Sequence, residues 1–158
     1  ARVACIAGPS QLTPSADRVL GYRQALVESN LPVDDSLILP GDFRYEGGES
    51  AMGRLLRAEI PPTAVFCCND LMAIGALRAI RNAGLLVPRD VSVAGFDDIP
   101  LAAAIYPSLT TVAQPMDELA TRAVHSLVNR LQTRHLQTPV ERLVLATKLI
   151  IRDSCAPK

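Results

Sequence analysis

Neither sign of charge is in excess in this sequence: 16 lysines and arginines stand against 16 aspartates and glutamates. A surface built for nucleic acid needs a basic excess, so this segment carries no such footprint of its own. No apolar run reaches the roughly 18 residues that span a bilayer as a helix, and the opening residues do not read as a secretory leader. Aromatic residues are scarce, 4% against 49% hydrophobic overall, so the expected core is aliphatic. The 158 residues suffice for one domain with a substantial core. The chain enters at once on a strand near Val3, as a piece cut from a longer protein is expected to.

Catalytic signatures are also missing. The first strand is not followed by Gly-x-Gly-x-x-Gly, and there is no P-loop, no Gly-x-Ser-x-Gly elbow and no His-Glu-x-x-His. The two histidines, His125 and His135, lack a Cys, Asp or Ser partner at catalytic or metal spacing and read as surface or packing residues. Cys5, Cys67 and Cys68 lie inside apolar strand-like runs, which favours buried free thiols. Adjacent Cys67 and Cys68 point to opposite faces of a strand and cannot share a zinc ion. No metal and no cofactor is expected, and a reducing, cytoplasmic compartment fits the free thiols.

What is present is organised around Pro62 to Asp98. Ala64 to Cys68 is a short apolar run ending in Asn69-Asp70; Leu71 to Ala83 has helical spacing and stops at Gly84; Val91 to Phe96 is a second apolar run ending in Asp97-Asp98. That is a βαβ unit of about 30 residues. Ligands of open parallel sheets sit outside the carboxyl ends of the strands, so Asn69, Asp70, Asp97 and Asp98 stand where a small molecule is held. Asp70 reads first as a helix N-cap, because Asp leads at that position. Asp98 reads as a turn residue before Ile99-Pro100, which leaves Asn69 and Asp97 as the better ligand candidates. Side by side at a strand end, Asp97 and Asp98 diverge and form a poor acid–base pair.

In chain order, strands are expected over Arg2 to Ala7, Leu37 to Leu39 and Leu109 to Ala113, and helices over Asp17 to Ser29 and Ser50 to Glu59. Leu101 to Ile105 reads as a loop or short helix. Pro115 is expected to open a helix running to about Gln132, and Glu141 to Ile151 to form one long strand that bends. Arg18 falls in the first turn of its helix on this reading, where the dipole does not favour a cation; the mismatch leaves it as either a functional or a plainly solvated arginine. Phe43, just past a strand end, either stacks on a ligand or plugs the edge of the core. The alternation predicts an α/β fold, an open, mainly parallel sheet with helices on both faces.

The series Arg18-x-x-Gly21-Tyr22, Gly41-Asp42-Phe43, CNDLMAIGAL, VAGFDD, YPSLTTVAQP and LIIRDS then resembles the effector-binding domain of the LacI/GalR family of transcriptional regulators. The resemblance runs over nearly the whole chain, in order, and implies the C-terminal part of a periplasmic-binding-protein-like domain. It implies a C-terminal lobe built from residues 1–113 and 143–158, with 114–142 crossing to a first lobe outside the sequence. It further implies effector contacts at Arg18, Phe43, Asn69, Asp97 and Gln114, with the loop Gln11 to Pro14 also facing the ligand. A homodimer, a small sugar or related metabolite as effector, and operator DNA contacted only through a separate N-terminal helix-turn-helix complete the expectation; no membrane partner is implied. A periplasmic sugar-binding protein of a transport system shares the fold and is the rival reading, disfavoured by YPSLTTVAQP and the free cysteines. A sugar-processing enzyme using Asp97 as base is a third. Two surfaces are expected to seek partners. One is the helix Leu71 to Ala83, apolar on more than one face, with Leu101 and Ile105 nearby in sequence. The other is the stripe Met116, Leu119, Ala123, Leu127 and Leu131, which could fold back on its own lobe, exchange with another copy or stay unpacked; association with another chain is expected, and in a fragment of a larger protein the helix is expected to project from the lobe.

Overall fold

The alternating pattern resolves, in a computed structural model that describes residues 1–132 and 142–157, into strands and helices in turn. The elements are β1 (Val3–Ala7), α1 (Thr13–Glu28), β2 (Ile38–Pro40), α2 (Tyr45–Leu56), β3 (Ala64–Cys67), α3 (Asp70–Asn82), β4 (Ser92–Asp97), α4 (Pro100–Ala104), β5 (Thr110–Ala113), α5 (Met116–Gln132) and β6 (Lys148–Ile150). The sheet order is β2-β1-β3-β4-β5-β6. All neighbours pair parallel except β5 and β6, which run antiparallel with Val112 opposite Leu149. The expected mainly parallel α/β sheet is therefore the one observed.

Strand alternation sorts the core onto two faces. Ala4, Ile6, Val65, Cys67 and Val93 are buried in one cluster with Met72, Ala76 and Ile80 of α3. On the opposite face, Val3, Phe66, Phe96 and Val112 meet Tyr22 and Leu26 of α1 along an apolar groove of about 750 Å³. Helix α2 crosses α3 closely. A side chain on Gly48 would collide with the Met72 backbone, and one on Gly75 with the Tyr45 carbonyl. Gly84, at φ +75°, ends α3 as its position after the helical stripe requires.

Several boundaries differ from expectation. Helix α1 begins at Thr13 with Pro14 in its first positions, so Arg18 lies in the second turn and the dipole argument for it does not apply. Helix α2 starts at Tyr45, earlier than expected: Gly48 serves the α2–α3 crossing, Gly47 lies against Asp42, and neither breaks the helix. A 3₁₀ turn at Asp35–Leu37 delays β2 to Ile38. Helix α5 starts at Met116, one residue past Pro115. The long strand over Glu141 to Ile151 shrinks to Lys148–Ile150, with residues 142–147 outside regular structure. Residues 133–141, including His135, and residue 158 lie outside the described residues.

The N-cap of α3 is Asn69, not Asp70: the Asn69 side chain accepts from the Met72 amide at 2.9 Å. Asp70 is the first helical residue and has no exposed surface. Cys5, Cys67 and Cys68 are buried free thiols, as their apolar settings predict. None of the described α5 residues is buried, so its apolar stripe projects into solvent as expected. After β6, the chain turns back to β4: Ser154 is buried, and its carbonyl accepts from the Val93 amide at 2.8 Å.

Candidate functional site

Because β1, β3, β4 and β5 are parallel, their carboxyl ends share one edge, and the polar residues that follow them gather there. Arg18, from α1, reaches over this edge. Its Nη1 donates to the Cys68 carbonyl at 2.5 Å and its Nη2 to Asp97 Oδ1 at 3.3 Å. The guanidinium also lies 3.9 Å from the centre of the Phe96 ring and 5.9 Å from that of Phe43. A planar cation held between carboxylate, carbonyl and aromatic faces is fixed in orientation.

Asp97 closes the opposite side. Its Oδ1 accepts from Gln114 Nε2 at 2.6 Å as well as from Arg18. Burial pushes the Asp97 carboxyl above its ordinary range, outweighing the opposing pull of Arg18 and Gln114. Asp98 turns away and pairs with Arg152 at 2.7 Å, so the two neighbouring carboxylates diverge as expected. Both occupy the left-handed region, Asp97 at φ +118° and Asp98 at φ +56°. That conformation is costly for residues with a Cβ and needs the surroundings to impose it.

The aromatic member, Phe43, also has positive φ, at +64°. Its ring lies against Gly8, where any side chain would overlap it, so the glycine after β1 is a packing requirement. Phe43 thus packs against the core while its ring stays near Arg18. Asn69 Nδ2 donates to the Phe43 carbonyl at 2.9 Å, tying that loop to the start of α3. All five sequence-derived candidates, Arg18, Phe43, Asn69, Asp97 and Gln114, therefore lie along one edge and are linked by hydrogen bonds or ring contacts. Asn69 is the most committed of them: it is 7% exposed and both ends of its amide are bonded within the chain.

The sequence reading missed Phe96, Thr111 and Arg152. Phe96 alternates with Asp97 along β4 and so turns its ring toward α1 and Arg18; that parity was available in the sequence. Thr111 and Arg152 act through contacts distant along the chain, which spacing does not reveal. Chemically, the edge offers a fixed cation, a carboxylate, two amides and an aromatic face, a set suited to hydroxyl groups on a small ring. Among the described residues no group of three or more His, Cys, Asp or Glu is placed to hold a metal ion, and no helix is long and apolar enough to cross a membrane.

Comparison with known proteins gives the same picture. The periplasmic binding protein-like domain family matches residues 1–155. The ribose operon repressor of Escherichia coli K12 is 43% identical over 153 residues, covering 97% of this chain and 46% of the repressor. The HTH-type transcriptional repressor CytR of the same organism is 42% identical over 153 residues, covering 97% of this chain and 44% of CytR. Among solved structures, the transcriptional regulator CelR in complex with cellobiose superposes with a TM-score of 0.90 at 40% identity, over 97% of this chain and 46% of CelR. The chain thus spans less than half the length of these relatives.

Proposed function

Since this chain belongs to the LacI/GalR family of transcriptional regulators, in which it matches the periplasmic binding protein-like effector domain, we propose that it senses a small sugar or related polyhydroxylated metabolite and so modulates operator binding. Residues 1–113 and 143–158 form the C-terminal lobe on this reading, and 114–142 cross to the first lobe. Regulators of this kind are not enzymes, and Asp97 acts as a hydrogen-bond acceptor, not as a catalytic base. The observation that carries the reading is the Arg18–Asp97–Gln114 triad at the carboxyl edge of the sheet, flanked by Phe43 and Phe96.

In this proposal Arg18 and Asp97 take the effector's hydroxyls, Gln114 completes the polar rim and Phe43 supplies a stacking face. Asn69 adds the remaining hydrogen of its amide. The effector acts by binding one arrangement of the two lobes more tightly than the other, which shifts operator affinity by linkage. Operator contact belongs to a helix-turn-helix outside these residues, as the name of CytR supports for that relative. The working protein is a cytoplasmic homodimer, paired through the outward side of α3, where Leu71 is 40% exposed, and the neighbouring Leu101.

A panel of pentoses, hexoses, disaccharides and nucleosides, titrated while the Arg18 and Gln114 side-chain NMR resonances are followed, tests the reading. One class should shift both sets of resonances, and Asp97→Ala should weaken that binding, since losing a hydrogen-bonding partner costs about 1–3 kcal/mol. Affinity is expected to be low for this lobe alone. A panel that leaves both residues unmoved, or an Asp97→Ala variant that responds like the wild type, would sink it.

A further inference from the structure

Three consecutive residues after β3 bind three different segments of the candidate site. The Cys68 carbonyl receives Arg18, the Asn69 amide holds Phe43, and the Asp70 carboxylate holds the turn that follows β4. The last of these is the least expected, because Asp70 has no exposed surface and a buried carboxylate is costly unless fully hydrogen-bonded. Its Oδ2 accepts from the Ile99 amide at 2.9 Å and its Oδ1 from the Thr111 hydroxyl at 2.5 Å.

These two donors come from the two strand ends that carry the triad. Ile99 follows Asp97 and Asp98, the pair held at positive φ. Thr111 lies on β5, whose end delivers Gln114, and pairs across the sheet with Gly95. The carboxylate fits there because residue 95 has no side chain. Asp97 at φ +118° is not a conformation its own sequence favours, and something outside the turn must impose it. Asp70 holds this turn from the inner side through the Ile99 amide, and Arg152 holds Asp98 from the outer side.

We propose that Asp70 is a positioning residue for the effector site: its carboxylate clamps Ile99 to β5 and thereby aims Asp97 at Arg18 and Gln114. The functional part rests on the effector reading above, but the geometric part does not, and the two are tested separately.

The geometric test uses NMR on this chain without ligand. In the wild type the Ile99 amide should exchange slowly, and the Gln114 side-chain amide should differ in shift from that of Asp97→Ala. Asp70→Asn keeps an acceptor for Ile99 and should leave both signals in place. Asp70→Leu has similar size and no acceptor; it should release the Ile99 amide and move the Gln114 signal toward its Asp97→Ala position. A folded Asp70→Leu with an unchanged Gln114 signal overturns the proposal. Should Asp70→Leu fail to fold, the wild-type Ile99 amide and Asp70→Asn decide: rapid exchange of that amide, or a Gln114 signal lost in Asp70→Asn, also overturns it.

The functional test adds a titration with D-ribose and with cellobiose as probes. For the sugar that binds, Asp70→Asn should keep wild-type affinity within about twofold. Asp70→Leu should lose about tenfold, and that loss should vanish on an Asp97→Ala background, because the two residues then act as one. Additive losses would show Asp70 acting independently of Asp97 and overturn the positioning role. If the wild type binds neither sugar, the broader panel above decides the effector reading, and the ligand-free result still decides the clamp.

Discussion

Gly95 exists to make room for Asp70: any side chain at position 95 would overlap the buried Asp70 carboxylate oxygen, and its first carbon would lie 3.0 Å from Leu109 Cδ2. The carboxylate cannot step aside without giving up Thr111 or the Ile99 amide. Gly95→Ala should therefore cost about 1–3 kcal/mol, the range for overpacking a well-filled site. Denaturant unfolding measures this directly. A loss below about 0.5 kcal/mol would mean that the carboxylate relocates freely.

The same carboxylate gives a pH dependence of definite sign. Burial raises the Asp70 pKa above its ordinary value, and Asp97 and Asp98 raise it further, against hydrogen bonds from Thr111 and Ile99 that lower it. The folded state thus holds the proton more tightly than the unfolded chain. Stability from this group is fully present below the ordinary carboxylate pKa and is lost as pH rises through the raised folded value. Asp70→Asn does not titrate at this position. Its Tm relative to wild type should be most favourable near pH ~7 and decline toward pH ~4. Calorimetry that finds a constant Tm difference over that range would show no raised pKa at Asp70.

Helix α3 divides its apolar residues between two neighbours. Met72, Ala73, Ala76, Ala79 and Ile80 are buried in the lobe, while Leu71 is 40% exposed and Ile74 and Leu77 are half-buried beside a cleft that includes Tyr106 and Pro107. Tyr106 itself is 96% exposed and Leu101 46%. A face of this composition suits a two-fold contact. Ile74→Asp should convert dimers to monomers in analytical ultracentrifugation with the melting curve little changed. An unaltered dimer would place the contact elsewhere.

The architecture was legible because short apolar runs and a helical stripe are written plainly across Pro62 to Asp98, and polar residues stand at the strand ends. The candidate site was legible where a strand end placed its own side chain, as at Asp97. The helix cap expected of Asp70 is made by Asn69 instead. Both residue types cap helices, and only the distant Thr111 hydroxyl and the Ile99 amide draw Asp70 inward, leaving the cap to Asn69. The start of α2 was obscured for a related reason. Gly47-Gly48 is a poor local helix signal, yet Gly48 is what the close approach to Met72 of α3 demands. Local sequence carries propensity; it does not carry a neighbour's backbone.

Helix α5 makes the last expectation concrete. Leu119 is 49% exposed, Leu127 58% and Leu131 55%, and Met116 and Val124 are each 56% exposed. Their spacing gathers them on one side of the helix. Burying a leucine contributes about 1.5–3 kcal/mol, so a stripe of this length favours association over hydration. On its own in solution, this chain should therefore form concentration-dependent assemblies through α5. Leu119→Glu with Leu127→Glu should shift sedimentation toward the smaller species. Since no described α5 residue is buried, the same double variant should leave the unfolding midpoint of the sheet and its other helices nearly unchanged. The two readouts separate the possibilities. Loss of stability together with loss of assembly would mean that α5 folds back onto its own lobe. Unchanged assembly would assign association to the α3 face alone.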